Sequence, residues 1–279
     1  VLGLVLAFES SAALAFAYGV AVTGTITITT LLFFYIAREY WRTRLWLVLL
    51  GGGAFLLFDL MFLAANLTKI GHGAWLPLLI GLAVFTVMTT WQRGRELVTV
   101  QRRREEGSLR AFVDELHARP TLQRVPGTAV FLNRAKETTP LAMRANVEHN
   151  RILHEHVVIL TIETLPLPHV AVEERLTVDD LGYADDGITH VEARFGYMDE
   201  PNVPRVLRLA VDAGLECPLE VDEASYFLST IELTAGDAPG MTRWRKRLFV
   251  ATAHITADAA GYFGLPRERT VIMGSRIEV

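Results

Sequence analysis

The hydrocarbon core of a bilayer can be crossed only by backbone that satisfies its own hydrogen bonds, and about 20 consecutive apolar residues form the helical solution. The first third of this chain holds three such stretches: Ala12 to Ala37, Leu45 to about Leu67, and Trp75 to Trp91. Asp59 is the only acid or base within them. Val1–Phe8 is apolar but too short to cross alone. It reads as the end of a preceding helix, with a polar turn at Glu9, Ser10 and Ser11. A secretory signal would open with basic residues and close on a cleavage site. This chain has no basic start and its apolar character runs on past Glu9 to Ile36, and the expectation is the carboxy-terminal piece of a longer membrane protein. Thr23, Thr25, Thr27 and Thr29 alternate with Gly24, Ile26 and Ile28 in the manner of a strand. The run continues into Leu31–Ile36, well beyond the roughly 9–11 residues of a barrel strand, so a helix is expected. Threonine hydroxyls can bond back to the preceding turn, which makes a threonine-rich helix tolerable in lipid.

The remainder of the chain has a different character. Residues 1–104 carry a net charge of +5 and residues 105–279 a net charge of −9. An acidic second part is repelled by phosphate backbones, which argues against nucleic acid as a partner. The single Cys217 can form no internal disulfide and fits a reducing compartment. Basic residues also set direction. Arg38, Arg42 and Arg44 stand against Glu39 after the first stretch; Arg93, Arg95 and Arg102–Arg104 stand against Glu96 after the third. The intervening loop has only Lys69 and His72. The excess of arginine places Arg38–Arg44 and everything after Trp91 on the cytoplasmic side.

Small residues recur four apart on the first stretch, as Ser11, Ala15, Gly19, Thr23 and as Ala13, Ala17, Ala21, Thr25. Such ridges let helix backbones approach closely, so this helix belongs inside a bundle. Several segments then resemble one family. AYGVAVTGT (Ala17–Thr25) is similar to the AYGIAVTGT signature of the Kup/HAK/KT potassium uptake permeases. The resemblance continues through FDLMFLAANLTKI (Phe58–Ile70), GAWLPLLIG (Gly73–Gly81), VMTTW (Val87–Trp91), RVPGTAVFL (Arg124–Leu132), EHNRILHEHVV (Glu148–Val158) and SYFLS (Ser225–Ser229). It ends in RTVIMGSRIEV (Arg269–Val279). Ala145 and Glu148 depart from the histidine and the basic residue that the family usually has there.

The resemblance implies a proton-coupled potassium importer of about twelve spans in the inner membrane, moving K+ and H+ with no cofactor. It implies the inverted-repeat fold of amino-acid, polyamine and cation carriers. Ala12–Ala37 would be the tenth span, and the acidic ion-binding residues would lie in amino-terminal spans of the same protein. Related carriers respond to cyclic dinucleotides, so such a regulator is one expected partner of the tail; membrane lipid and a second copy in a homodimer are others.

Residue types give their own readings. Tyr18, Thr23 and Thr25 carry hydroxyls suited to a potassium path, and equally suited to helix–helix hydrogen bonds. Asp59 reads as a structural acid bonded to a neighbouring helix or to Asn66, with an ion-path role as the alternative. Gly51–Gly53 reads as close helix packing or a kink. His149, His154 and His156 lack HExxH spacing, and no metal site is expected from them. Arg243, Arg245, Lys246 and Arg247 beside Trp244 read first as a solvated helix face, with an anion contact as the alternative. The sequence contains no GxSxG, Walker or GxGxxG motif, so no catalytic residue is assigned.

The expected organisation is a membrane region over 1–91, a charged linker over 92–107 that is expected as a helix leaving the membrane, and a cytosolic α/β domain over 108–279. Within the last, strands are expected at Thr128–Leu132, Val157–Ile162, Thr189–Phe195, Tyr226–Leu233 and Thr270–Met273. Helices are expected at Leu109–His117, Leu141–His154, Val203–Ala213 and Thr242–Ala259. Two function classes remain open: part of an ion carrier, or a membrane-tethered regulatory or sensor domain or enzyme acting through its acidic α/β region.

Overall fold

A computed structural model describes residues 10–119, 122–183, 186–212, 214, 220–236, 239–253 and 259–278. The expectations placed on Val1–Phe8, Glu9 and Cys217 fall outside the described residues. Two compact units are present, one ending at Thr89 and the other beginning at Thr90.

The first unit is helical. Helix α1 spans Ser11–Glu39 and α2 spans Leu45–Leu67; a 3-10 turn at Ile70–His72 leads into α3, Trp75–Glu106. Among the described residues, these three helices are long and apolar enough to cross a membrane. Many of their large side chains, such as Leu50 and Phe55, point outward rather than into the unit. Lipid rather than water is the solvent that accepts such a surface. Helices α1 and α2 pack antiparallel. A Cβ at Gly19 would sit 2.8 Å from Asn66 Oδ1, and one at Gly52 would sit 1.9 Å from the Phe34 ring.

Helix α3 is longer than the expected third stretch. The charged segment after Trp91 continues the same helix to Glu106, because its residues favour helix and pair three or four residues apart. Arg93 meets Glu96 at 2.7 Å, and Arg102 meets Glu106 at 2.5 Å. The helix stops at Gly107, whose φ of +64° suits glycine. Ser108 then accepts a hydrogen bond from the Ala111 amide and caps α4, Leu109–His117.

The second unit is an α/β layer structure. In chain order it continues through β1 (Gln123–Asn133), α5 (Leu141–Ala145), β2 (Ile152–Leu165), β3 (Leu176–Asp179), β4 (Ile188–Gly196), α6 (Val203–Asp212), β5 (Ser225–Thr234), α7 (Arg243–Ala253), α8 (Ala259–Tyr262) and β6 (Thr270–Glu278). Among the described residues these strands form one six-stranded sheet in the order β3-β4-β2-β1-β5-β6. All neighbours are parallel except β3 and β4. The central strands bury apolar residues at consecutive positions, Ala129–Leu132 in β1 and Val157–Leu160 in β2, because both faces are covered there. Ala129 and Phe131 of β1 pack with Phe112, Val113 and Met143 on one face. Val130 and Leu132 pack with Val206, Leu207 and Tyr226 on the other.

The expected helix over Leu141–His154 is shorter. Helix α5 ends at Ala145, a π turn occupies Asn146–Asn150, and Arg151 takes a left-handed conformation at φ +58°. That reversal releases Ile152 into β2, where a β-branched residue is at home. Strand β3 was not expected. It is a four-residue edge strand amid acids, too short to show a period. The expected helix over Thr242–Ala259 is seen as α7 and the short α8, with residues 254–258 between them outside the described set. Gly214 follows the end of α6 at φ +93°.

His190 lies fully buried in β4 and contacts the Thr161 hydroxyl through Nε2 at 3.1 Å. Burial, and then the Lys136 charge, pushes its pKa below the ordinary imidazole value; Asp179, Glu192 and Glu137 oppose this. The unfolded chain therefore binds the proton more readily. Stability should be greatest above about pH 6.5 and fall as the pH drops below it. Thermal unfolding followed by near-ultraviolet dichroism between pH 7.5 and about 5 should show a declining midpoint, and His190→Gln should flatten that decline. Leu207→Ala, which empties a fully buried site, should cost about 2–5 kcal/mol at neutral pH in the same assay.

Candidate functional site

The hydroxyl-rich helix α1 presents two different faces. Thr23, Thr25, Thr27 and Thr29 donate their hydroxyls to the carbonyls of Gly19, Ala21, Thr23 and Thr25 at 2.7, 2.9, 2.8 and 2.9 Å. Each donor is thus satisfied inside the helix, while the oxygen lone pairs remain able to accept a proton or a cation. The ridge containing Gly19 meets Asn66 of α2. The ridge of Ala17, Ala21 and Thr25 instead borders a groove of about 830 Å³ shared with Leu76–Val84 of α3. Tyr18, 71% exposed, and Gly24 also line it, opposite Pro77 and Gly81.

The expected hydroxyl group therefore separates. Tyr18 and Thr25 share the groove; Thr23 is half-buried and does not line it. A dehydrated potassium ion needs a shell of several oxygens. Two hydroxyls on an otherwise apolar groove supply part of one. The helix carbonyls nearby are committed to backbone bonds, so α1 adds no open ring of oxygens.

Asp59 faces α1, where Thr30 donates its hydroxyl to Oδ2 at 2.6 Å. Asn66, the alternative intrahelical partner, donates instead to the Phe62 carbonyl at 3.0 Å. Thr30 lies outside the small-residue ridges of α1, so spacing along the sequence does not single it out as the partner of Asp59. The antiparallel pairing of α1 and α2 carries the missing signal, since matching Gly19 to Asn66 also brings Thr30 near Asp59. In the Gly51–Gly53 run, Gly52 alone is crowded, beneath the Phe34 ring, while a Cβ at Gly51 or Gly53 would meet nothing within 4 Å.

In the second unit the three histidines do not converge on one helix. His149 lies on the π turn, whereas His154 and His156 lie on β2. The His154 ring packs edge-on against Phe227 at 5.7 Å, and burial lowers its pKa. Among the described residues no group of three or more His, Cys, Asp or Glu is placed to hold a metal ion. The basic cluster on α7 is only partly a solvated face. Lys246 is buried and donates to the Gly236 carbonyl at 2.8 Å, and Arg245 donates to the Thr90 hydroxyl at 2.9 Å. Both are held by the unit's own backbone and hydroxyls, which hydrophobic periodicity does not reveal.

Comparison with known proteins adds a separate line. Residues 1–96 match the profile described as the K+ potassium transporter integral membrane domain, and residues 126–279 match the K+ potassium transporter C-terminal domain. The "Probable potassium transport system protein Kup" of Rhodococcus jostii (strain RHA1) is 70% identical over 280 residues, covering 100% of this chain and 43% of that protein. The protein of the same description from Myxococcus xanthus (strain DK1622) is 40% identical over 279 residues, 100% of this chain and 42% of its own. "Probable potassium transport system protein Kup 1" of Aeromonas hydrophila is 41% identical over 272 residues, 98% of this chain and 42% of its own. The chain thus spans less than half the length of these relatives. No solved structure matches it.

The crowding at Gly52 yields a direct test of the α1–α2 pair. Gly52→Leu drives a side chain into Phe34 and should destabilise the helical unit by about 1–3 kcal/mol. Gly51→Leu enters open space and should leave stability unchanged or slightly raised. Melting of the chain in detergent, followed by circular dichroism, should rank the two in that order.

Proposed function

Because the chain belongs to the K+ potassium transporter family, we propose that it forms the carboxy-terminal part of a proton-coupled potassium importer of the inner membrane. The observation that carries this reading is the order of the two matched domains along one chain, helical membrane part first and C-terminal domain second. The chain's coverage of only 43% of the Rhodococcus relative supports placing the main potassium and proton sites in spans outside it. On this reading α1 closes the transport bundle, residues 92–107 connect it to the tail, and the tail from residue 108 lies in the cytoplasm. The arginine excess at Arg38–Arg44 and after Trp91 supports that direction.

Roles within the bundle follow from the packing. Asp59 acts as a structural acid that ties α2 to Thr30 of α1, since a carboxylate in lipid is tolerable when a neighbouring donor holds it. Tyr18 and Thr25 present oxygens to the groove beside α3 and are the better candidates to border the ion path; Thr23 serves helix packing.

Growth on limiting potassium tests the main reading. The complete gene should rescue a strain deficient in potassium uptake, and this chain alone should not. Potassium flux into liposomes carrying only this chain would overturn it. In the complete carrier, Asp59→Asn should leave uptake within about twofold of wild type, because asparagine still accepts from Thr30. Loss of uptake with normal membrane insertion would place Asp59 on the ion path instead.

A further inference from the structure

Helix α3 sets the depth of whatever packs beside its charged half. Its apolar run ends at Trp91, a residue type suited to the membrane interface, and Arg93, Arg95 and Glu96 follow directly. The stretch from Thr90 to Leu97 therefore stands at the level of the lipid headgroups. An element docked against it lies at that level too.

Helix α7 docks there. Arg245 donates to the Thr90 hydroxyl at 2.9 Å, and Trp91 Nε1 donates to the Thr252 hydroxyl at 2.9 Å. Between them the Phe249 ring covers Gly94, where a Cβ would lie 2.5 Å away, and meets the Trp91 ring edge-on at 5.5 Å. These contacts fix a direction. Arg245 and Thr252 are about 10 Å apart along α7, whereas their partners Thr90 and Trp91 differ by about 1.5 Å in height along α3. A helix running alongside α3 would climb it in order, yet Phe249 in the middle meets the next turn, at Gly94. Helix α7 thus crosses α3. Because spans tilt by only about 20° on average, a helix crossing one lies close to the membrane plane.

The faces of α7 divide accordingly. Arg245, Phe249 and Thr252 meet α3. Lys246 is buried and donates to the Gly236 carbonyl, while Val250 and Ala253 border a cleft shared with Thr230–Leu233 of β5. With about 100° of turn per residue, the side opposite the sheet carries Trp244, Leu248 and Ala251. Trp244 is 56% exposed, Leu248 is half-buried and Ala251 is exposed. Arg243 and Arg247 are exposed on the adjoining side, away from α3.

Charge points the same way. Four of the first five residues of α7 are cations, Arg243, Arg245, Lys246 and Arg247, and its first turn has no acid. The amino-terminal turn of a helix favours anions, so this clustering opposes the dipole of α7 itself. It also stands out in a region whose net charge is −9 over residues 105–279. Helix stability does not account for it; an anionic surface alongside does.

We propose that α7 is an interfacial helix, laying Trp244, Leu248 and Ala251 into an anionic membrane surface with Arg243 and Arg247 among the lipid phosphates. Apolar side chains flanked by basic ones hold a helix in the plane of a membrane, and each cation adds attraction to an anionic leaflet. The contact pins α7 to the leaflet from which α3 emerges. It rests on the reading that α3 crosses the bilayer, which co-elution of the chain with nanodiscs tests separately.

The unmodified chain is placed singly into phosphatidylcholine nanodiscs with or without phosphatidylglycerol and exposed briefly to hydroxyl radicals. Mass spectrometry then compares oxidation of Trp244 with that of Tyr197, an exposed residue of the same unit. Phosphatidylglycerol should slow oxidation of Trp244 about threefold or more and leave Tyr197 unchanged. Salt at about 0.5 M should reverse much of that protection. Arg247→Glu should abolish it, whereas Arg208→Glu, the same change at an exposed position of α6, should keep it. The first comparison needs no variant, so it decides the proposal even if Arg247→Glu fails to fold. Equal oxidation of Trp244 in the two discs, protection undiminished in Arg247→Glu, or an equal loss in Arg208→Glu overturns the proposal. So does protection in detergent alone that grows with protein concentration, which assigns this face to a second copy.

Discussion

A polar group removed from water must find its partner within the protein, and this requirement shapes both units of the chain. In α1 it makes four threonines spend their hydroxyl protons on carbonyls one turn back. In α2 it turns Asp59 toward Thr30. Glycine at positions 19 and 52 then has a clear physical use, because the backbones must come close for such a short bond to form between helices. The α1–α2 pair is thus held by shape and by one polar link, with no hydrophobic drive between helices already in lipid.

In the second unit water supplies the drive, and the same rule takes another form. The central strands bury both faces, their amides are spent on neighbours, and the helices cover what remains. Side chains that enter this interior bring partners with them: His190 has Thr161, and Lys246 has the Gly236 carbonyl.

The legibility of these features differs by residue. The helices α1 and α2 were readable nearly to their ends, since an apolar run in lipid has only one regular solution. The charged connection after Trp91 was legible as a helix leaving the membrane, and helix propensity with pairs such as Arg102–Glu106 makes it one continuous helix with the third span. The Leu141–His154 segment misled for the opposite reason. Its apolar spacing is helical, but the reversal at Arg151 and the demand of the sheet for β2 override that local preference. Of the candidate hydroxyls, periodicity placed Thr23 and Thr25 on different ridges without showing which ridge meets a helix and which borders a groove.

The amino-acid sequence by itself determined the membrane-spanning character, the α/β class of the second part and the family. Each of these rests on composition, period or ordered motifs, which are properties of neighbouring residues. Tertiary structure alone decided that Thr30 holds Asp59, that Gly52 shelters Phe34, and that α7 crosses α3 beside Trp91. Those outcomes depend on residues distant along the chain and close in space. Their positions follow from helix pairing and strand order, to which no local pattern is sensitive.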